Sequence, residues 1–397
     1  PDLNGIPIAS VERVEILPTT ASGIYGGGAT GGVINVILRK DYVGSEVQVT
    51  YDNSFDTDSA KRRIDFSTGF SIEQGRTHVM LAGSYADGND LLVRDRDFAM
   101  RGRNLLMAND PDAFVRSTVA GQRTNIFSTD GQALVLRDGT SLGSNIASVP
   151  VGYFGNDGGA GLIDGAGHLD IQIPNNISGG RQSLSAVPKT RSVNLTVRRD
   201  FGESVDAYLD VGHSRNEAVT KWAGFSGQQY LSGSDPGNPF LSDIYVTFPY
   251  NGKFLERANT SVAESRHVNS GVVIKLPREW SAGLDVNWSQ SSHSTNVEPS
   301  TLDGIDIARA VSAGEINIFR DLNEYPLDLS PYLAENTATY GPGEGSITDY
   351  SLRAAGPIYQ MPAGPVQLSA VISSRRERAS SARAVYTTEY LGEYAEY

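Results

Sequence analysis

The sequence predicts an all-β protein, an antiparallel up-and-down meander with one apolar and one polar face. Three observations predict it. From Ser45 onward the hydrophobic period is two, in segment after segment. The connections between those segments alternate between short and long. Mean hydropathy is only −0.28, although apolar side chains recur at every second strand position.

The elements follow in order. Val11 to Leu17, VERVEIL, alternates Val11, Val14 and Ile16 with charged neighbours, which marks a short strand. A Gly-rich stretch, Gly23 to Gly32, separates it from Val33–Leu38, VINVIL, a β-branched run closed by Arg39 and Lys40. Val47, Val49 and Tyr51 begin the long alternating series, followed by Ile64, Phe66, Phe70 and Ile72, then Val79, Leu81 and Tyr85. Further strands are marked by Val193 to Val197, Val205 to Val211, Val268 to Ile274, Ala282 to Trp288, Tyr350 to Ala354, and Val366 to Ile372. A tenth candidate, Ala384 to Tyr397, is Tyr-rich and ambiguous in register.

Connection lengths narrow the class. Tight joints are expected at Glu73–Arg76, Gly202–Ser204 and Pro277–Glu279, with a slightly longer one at Pro357–Gly364. Long connections are expected at 90–190, 218–266 and 294–346. Membrane barrels put short turns on one rim and long loops on the other. No apolar run reaches the roughly 18 residues of a spanning helix, but a spanning strand shows lipid only every second residue. The expected architecture is therefore part of an outer-membrane β-barrel, with an apolar row toward lipid and a polar row toward the lumen. Tyr51, Tyr85, Tyr208 and Trp280, near strand ends, fit either interfacial girdles or ordinary cross-strand pairing. His78 and His213 stand at polar strand positions and are expected to face the lumen.

Composition excludes much else. With no cysteine there is no disulfide scaffold and no thiolate chemistry. Net charge −13 argues against a nucleic-acid partner, which needs a basic face. The five histidines show no metal-ligand spacing, and no G-x-S-x-G elbow occurs, so no catalytic residue, metal site or cofactor is assigned and enzyme function is not expected. Gly26 to Gly31 fits G-x-G-x-x-G, but a β-branched run follows where a dinucleotide site needs a helix. Asn156 to Asp164 faintly resembles a calcium-binding nonapeptide in single copy; a flexible Gly-rich loop is the better reading.

The segment Ile6 to Tyr42 resembles the C-terminal end of the plug domain of TonB-dependent outer-membrane receptors. Glu12, Arg13, Glu15, Ala21, Ser22, Tyr25, Gly26, Ala29, Gly31, Gly32, Val33 and Asn35 fall on that family's pattern. Pro18-Thr19-Thr20 stands where the family commonly has a Lys-Gly-Pro or Asp-Gly turn. The resemblance implies a plug remnant at 1–42 and the first barrel strands at 43–397, nine or ten of roughly 22 in a plugged barrel. The chain is accordingly expected to be a piece of a larger receptor in the outer membrane of a Gram-negative bacterium.

What the resemblance implies about function is energised import. A substrate too scarce or bulky for porins (a siderophore, cobalamin or an oligosaccharide) binds outside, and an inner-membrane TonB complex pulls the plug through a region not in this chain. Outer-membrane lipid is the other expected partner. Glu12, Arg13 and Glu15 are candidates for plug–barrel contact, and Tyr25, Gly26, Gly31 and Gly32 for the plug loop. Substrate contact is assigned to aromatic residues of the long connections: Tyr153, Phe154, Trp222, Phe225 and Tyr230. The 90–190 connection is expected to be the most mobile or irregular part, and Ile305 to Val311 to form a short helix. The competing class, a passive porin-like channel or a β-rich adhesin, would lack the plug segment or the alternation of connections.

Overall fold

A computed structural model describes residues 10–18, 31–39, 42–55, 57–111, 121–176, 179–221, 227–250, 258–297, 300–302, 304–362, 364–380, 384–390 and 393–396. The chain opens with a hairpin of β1 (Val11–Leu17) and β2 (Val33–Leu38), paired antiparallel with Glu15 opposite Asn35. Then come β3 (Gly44–Asp52), β4 (Lys61–Ile72) and β5 (Thr77–Gly88). The first long connection holds β6 (Leu91–Leu92), α1 (Phe98–Asn109), β7 (Asn125–Ser128), β8 (Ile146–Ser148) and β9 (Ser183–Ser185). Next are β10 (Lys189–Asp200) and β11 (Val205–Lys221), then β12 (Gly227–Leu231) and β13 (Ile244–Phe248) in the second connection. After these stand β14 (Ala258–Leu276), β15 (Trp280–Val297), β16 (Ser300–Leu302) and α2 (Gly304–Ala313). The last described elements are β17 (Leu333–Met361), β18 (Gly364–Ser380), β19 (Ala384–Tyr390) and β20 (Glu393–Glu396).

The large sheet runs β3-β4-β5-β10-β11-β14-β15-β17, then β18 and β19, then β20, every ladder antiparallel. Strand order follows chain order once the strands inside the long connections are set aside, which is the expected meander. β16 continues β15 along β17, and β19 continues β18 along the same strand, because their registers run on unchanged. Among the described residues the sheet stays open, with β3 at one edge.

The sheet is inside out by the standard of a water-soluble protein. On β4, Asp65 is 5% exposed and its neighbour Phe66 is 40% exposed. On β15, Asp285 is 4% exposed while Leu284 is 50% exposed. Ser67, Asn194, Thr196, Asp210 and Ser214 are buried on the same inner face as Asp65 and Asp285. Ile64, Phe70, Val193, Leu209, Val211, Ile274, Leu352 and Ile372 are open on the outer face. Period-two side chains point to opposite faces, so the inner rows crowd together as the sheet curls and the outer rows spread apart. A water-facing apolar surface of this extent is rare in soluble proteins.

The hydrophobic core lies elsewhere, in the long connections. β12, β13, β7 and β8 form a second sheet in that order, drawn from two different connections. Ile126, Leu134, Leu136, Ala147, Val149 and Leu162 of the first connection pack with Leu231, Phe240, Ile244, Val246 and Phe248 of the second. Ile307, Val311, Ile318, Leu322 and Leu329 of the third complete the cluster. The helix expected near Ile305 is α2; its Ile307, Ala310 and Val311 share one turn-spaced stripe against the core. Polar ties join the connections as well: Thr124 Oγ1 donates to the Ile318 carbonyl at 2.6 Å, and Gln229 Nε2 to the Ala308 carbonyl at 2.7 Å. The described part from 121 to 176 is not irregular: it supplies two strands of the second sheet and part of its core. Ile126, Leu134, Ala147, Val149 and Leu162 are as fully buried as Leu231, Ile244, Ile318 and Leu329 of the other two connections.

Candidate functional site

In the cluster built by the long connections, aspartates cap the turns. Asp157 accepts the Tyr153 hydroxyl and the amides of Gly159 (3.1 Å) and Gly161 (3.0 Å). Those bonds, the Tyr153 one foremost, hold its carboxyl below the ordinary aspartate range. The Tyr153 phenol is correspondingly pushed up, first by burial and then by Asp157. Asp243 accepts from Tyr230 Oη at 2.6 Å and from the Gly233 amide at 2.8 Å, which lowers its carboxyl in the same way.

These contacts place the expected substrate aromatics. Tyr153 is half-buried against the core, its hydroxyl committed to Asp157. Phe154 meets Tyr325 edge-on, centroids 4.9 Å apart, and Tyr230 meets Tyr245 edge-on at 5.5 Å. Phe154 and Tyr230 each leave about half their surface open. Trp222 and Phe225 lie outside the described residues. Sequence reasoning did not pair these rings: Tyr325 lies in a different connection from Phe154, and Tyr245 stands on β13 beside Tyr230 of β12. The Asn156 to Asp164 loop is not a loose Gly-rich segment: it holds a 3-10 helix, Ala160–Gly165, and Leu162 is fully buried. Gly165 is required there, since a Cβ would sit 1.8 Å from the Ser148 carbonyl oxygen. Among the described residues no three His, Asp or Glu side chains converge as a metal site.

The inner face carries a polar row across four strands. Tyr208, Gly271, Asp285 and Ser351 stand directly opposite one another on β11, β14, β15 and β17. The Tyr208 ring lies over Gly271, where a Cβ would come within 2.6 Å of it, and its hydroxyl reaches Asp285 at 2.5 Å. Arg353 pairs with Asp285 at 2.7 Å, Ser351 donates to it at 3.2 Å, and the Arg198 guanidinium lies 5.5 Å from the Tyr208 ring centroid. Tyr208 therefore belongs to this inner network, not to an interfacial girdle. Tyr51, Tyr85 and Trp280 are on the outer face, by register with Arg62, Ile64 and Leu276. His78 faces inward, opposite Ser71 and Arg198. His213 does not. It continues the Leu209–Val211 row and stands opposite Val193 and Arg266, so it faces outward.

In the hairpin, Arg13 pairs with Glu12 at 2.6 Å and Glu15 at 2.9 Å, and Asn35 donates to Glu15 at 3.3 Å. The charged trio is thus matched within the hairpin. Contact with the large sheet is made further on, where Arg39 approaches Glu46 to 3.7 Å and the Tyr42 carbonyl fills the space a Gly69 side chain would need. Glu46 and Gly69 both belong to the inner face. Gly31 and Gly32 are described, and Gly32 has φ +135°, with the Leu17 carbonyl 2.6 Å from where a Cβ would be. Tyr25 and Gly26 lie outside the described residues.

No protein-family model matches the chain. Among solved structures it is similar to the ferric enterobactin receptor PfeA of Pseudomonas aeruginosa, at 12% identity over 98% of this chain and 48% of that one, with a TM-score of 0.38. It is similar to the copper transporter OprC, at 8% identity over 96% of this chain and 49% of that one, TM-score 0.32. It is also similar to the siderophore receptor PiuA of Acinetobacter baumannii, at 10% identity over 96% and 54% of the two chains, TM-score 0.30. The chain spans about half the length of these structures.

Proposed function

We infer that the chain is the plug end (1–42) and the leading barrel wall (43–397) of an outer-membrane receptor for energised import of a scarce or bulky ligand. The observation that carries this reading is the inverted polarity of the large sheet, with apolar rows outward and acidic, amide and hydroxyl rows inward. That arrangement suits lipid outside and a hydrated lumen inside. The three long connections leave one rim and share a core, which supports an ordered extracellular domain as the ligand-facing surface. On it, the open edges of the Phe154–Tyr325 and Tyr230–Tyr245 pairs are the surfaces offered for stacking on sugar or catecholate rings. The approach of Arg39 to Glu46 and of Tyr42 to Gly69 supports placing the plug remnant on the lumen side, with Glu12, Arg13 and Glu15 meeting the wall of the full barrel as a unit already paired within the hairpin.

Binding to loops above a closed plug releases ligand only to the outside, so net import needs work on the plug. The test uses the full-length parent protein in living cells, with labelled substrate uptake and surface binding measured side by side. Collapse of the proton gradient by a protonophore stops uptake and leaves binding intact if the reading holds. Undiminished uptake at nanomolar substrate in de-energised cells replaces it with the passive channel.

A further inference from the structure

Three adjacent strands, β10, β11 and β14, set a block of polar side chains on the inner face. Register places Asn194, Gly212 and His267 in one row, and Thr196, Asp210 and Asn269 in the next. Gly212 is the gap in this block. A Cβ there would touch the His267 ring and would lie 2.7 Å from both His267 Nε2 and Asn194 Oδ1. A ring nitrogen and an amide oxygen thus converge, from the two flanking strands, on the space above one glycine. Glycine inside a strand marks a place where the backbone is closely approached. Asn194 is fixed in this pose by its amide nitrogen, which donates to Thr196 Oγ1 at 3.4 Å. Asp210, one pleat along β11, brings the charge. It is 8% exposed, and its Oδ1 has no hydrogen-bond partner among the described residues. A nearly buried carboxylate oxygen left this way is costly unless a cation compensates it. Arg198, diagonal to Asp210 on β10, lies instead over the Tyr208 ring, 5.5 Å from its centroid. His267, diagonal to Asp210 on β14, is within electrostatic reach of the carboxylate.

We propose that Asn194, Asp210 and His267 hold a divalent transition-metal ion of the zinc class on the inner face, one ligand from each strand. His267 Nε2 supplies a lone pair, the Asp210 carboxylate offsets charge, and Asn194 Oδ1 completes the protein's share. Imidazole among oxygen donors suits zinc, copper or nickel, whereas an all-oxygen set would suit calcium or magnesium. The remaining positions on the ion open toward the polar side of the sheet and take water. The set is one imidazole, one carboxylate and one amide, so it falls short of three His, Asp or Glu side chains. Its members are 16 and 57 residues apart along the chain, which hides them from any motif. The ion compensates the Asp210 carboxylate and ties β10, β11 and β14 together. This inference needs only the folded sheet and stands apart from the import reading.

The test uses the full-length parent protein in detergent, stripped with chelator and titrated with zinc chloride by calorimetry. Wild type and a His213→Gln control on the outer face should bind zinc equally and melt at a higher temperature with it. Asp210→Asn and His267→Gln should each weaken the site about tenfold or more, since even an outer-shell partner costs that much. Both should lose the melting shift. Copper(II) in place of zinc should show an imidazole nitrogen in its electron paramagnetic resonance spectrum, lost in His267→Gln. Asp210→Asn keeps the side chain's shape and removes an uncompensated charge, so in chelator it should melt no lower than wild type. Absence of zinc binding by the wild type, or unchanged affinity in both site variants, overturns the proposal. A metal-free Asp210→Asn that melts well below wild type overturns it too, because the carboxylate then has a partner of its own.

Discussion

Asp285 and Arg353 stand diagonally across the β15–β17 ladder with carboxylate and guanidinium 2.7 Å apart, on the inner face of a sheet whose outer face is apolar. Tyr208 reaches the same carboxylate from two strands away, across Gly271. Charge and aromatic hydroxyl thus tie β11, β15 and β17 together across β14 on the inner face.

Removing the staple destabilises the wall. Asp285→Ala leaves the Tyr208 hydroxyl and the Arg353 guanidinium without their acceptor, and the expected cost is about 1–3 kcal/mol. The Arg353 side chain is more than half exposed, which keeps the cost toward the lower end. Urea midpoints of the full-length parent in detergent check this; an unchanged midpoint contradicts the network.

Polarity of the two faces makes an asymmetric prediction. Leu284→Arg puts a charge on the outer face and should cost about 2–4 kcal/mol if that position lies near the bilayer midplane. Asn287→Arg, three residues on and on the inner face, should be tolerated far better. Insertion yield and heat-modifiable mobility of the two variants decide. Equal damage from both would mean the outer face does not meet lipid.

The outer domain should fail as a unit. Leu231 and Leu162 come from different connections and are both fully buried in one cluster. Leu231→Ala should cost about 2–5 kcal/mol and expose the 121–176 segment to protease along with its own. Digestion confined to the 218–266 connection would show that the connections fold independently.

Acid should loosen that domain without affecting it near neutrality. The carboxyls of Asp157, Asp243, Asp130, Asp138 and Asp328 are all held below the ordinary aspartate value of 3.8 by hydrogen bonds to their charged forms. A folded-state value below the unfolded one gives stability that is complete above the unfolded value and lost as pH falls through the folded one. Amide exchange in segments 125–170 and 227–248 should therefore be flat from pH 8 to about pH 5 after correction for intrinsic rates, and accelerate below about pH 4. Asp157→Asn should blunt the acid response locally. A transition centred near pH 6 would point to histidine instead.

The sequence by itself determined the meander and the sidedness of its strands. A period of two is a local code, since alternate side chains must point to opposite faces whatever lies beyond. Phe66 beside Asp65 announces an outer and an inner position without any knowledge of the partner strand. The β1–β2 hairpin was legible for the same reason, as two β-branched runs around glycines.

Tertiary structure decided the rest. Residue type argued for placing His213 inside, and the unbroken ladder from Val211 set it outside beside Arg266. On sequence alone Tyr208 fitted a girdle or a cross-strand pair equally well, because its partner Asp285 is 77 residues away and no periodicity links them. The outer domain was the least legible part. Its core is assembled from three segments separated by whole strand pairs. Burial there is a property of the rim that gathers them, so it is written in no single stretch of sequence.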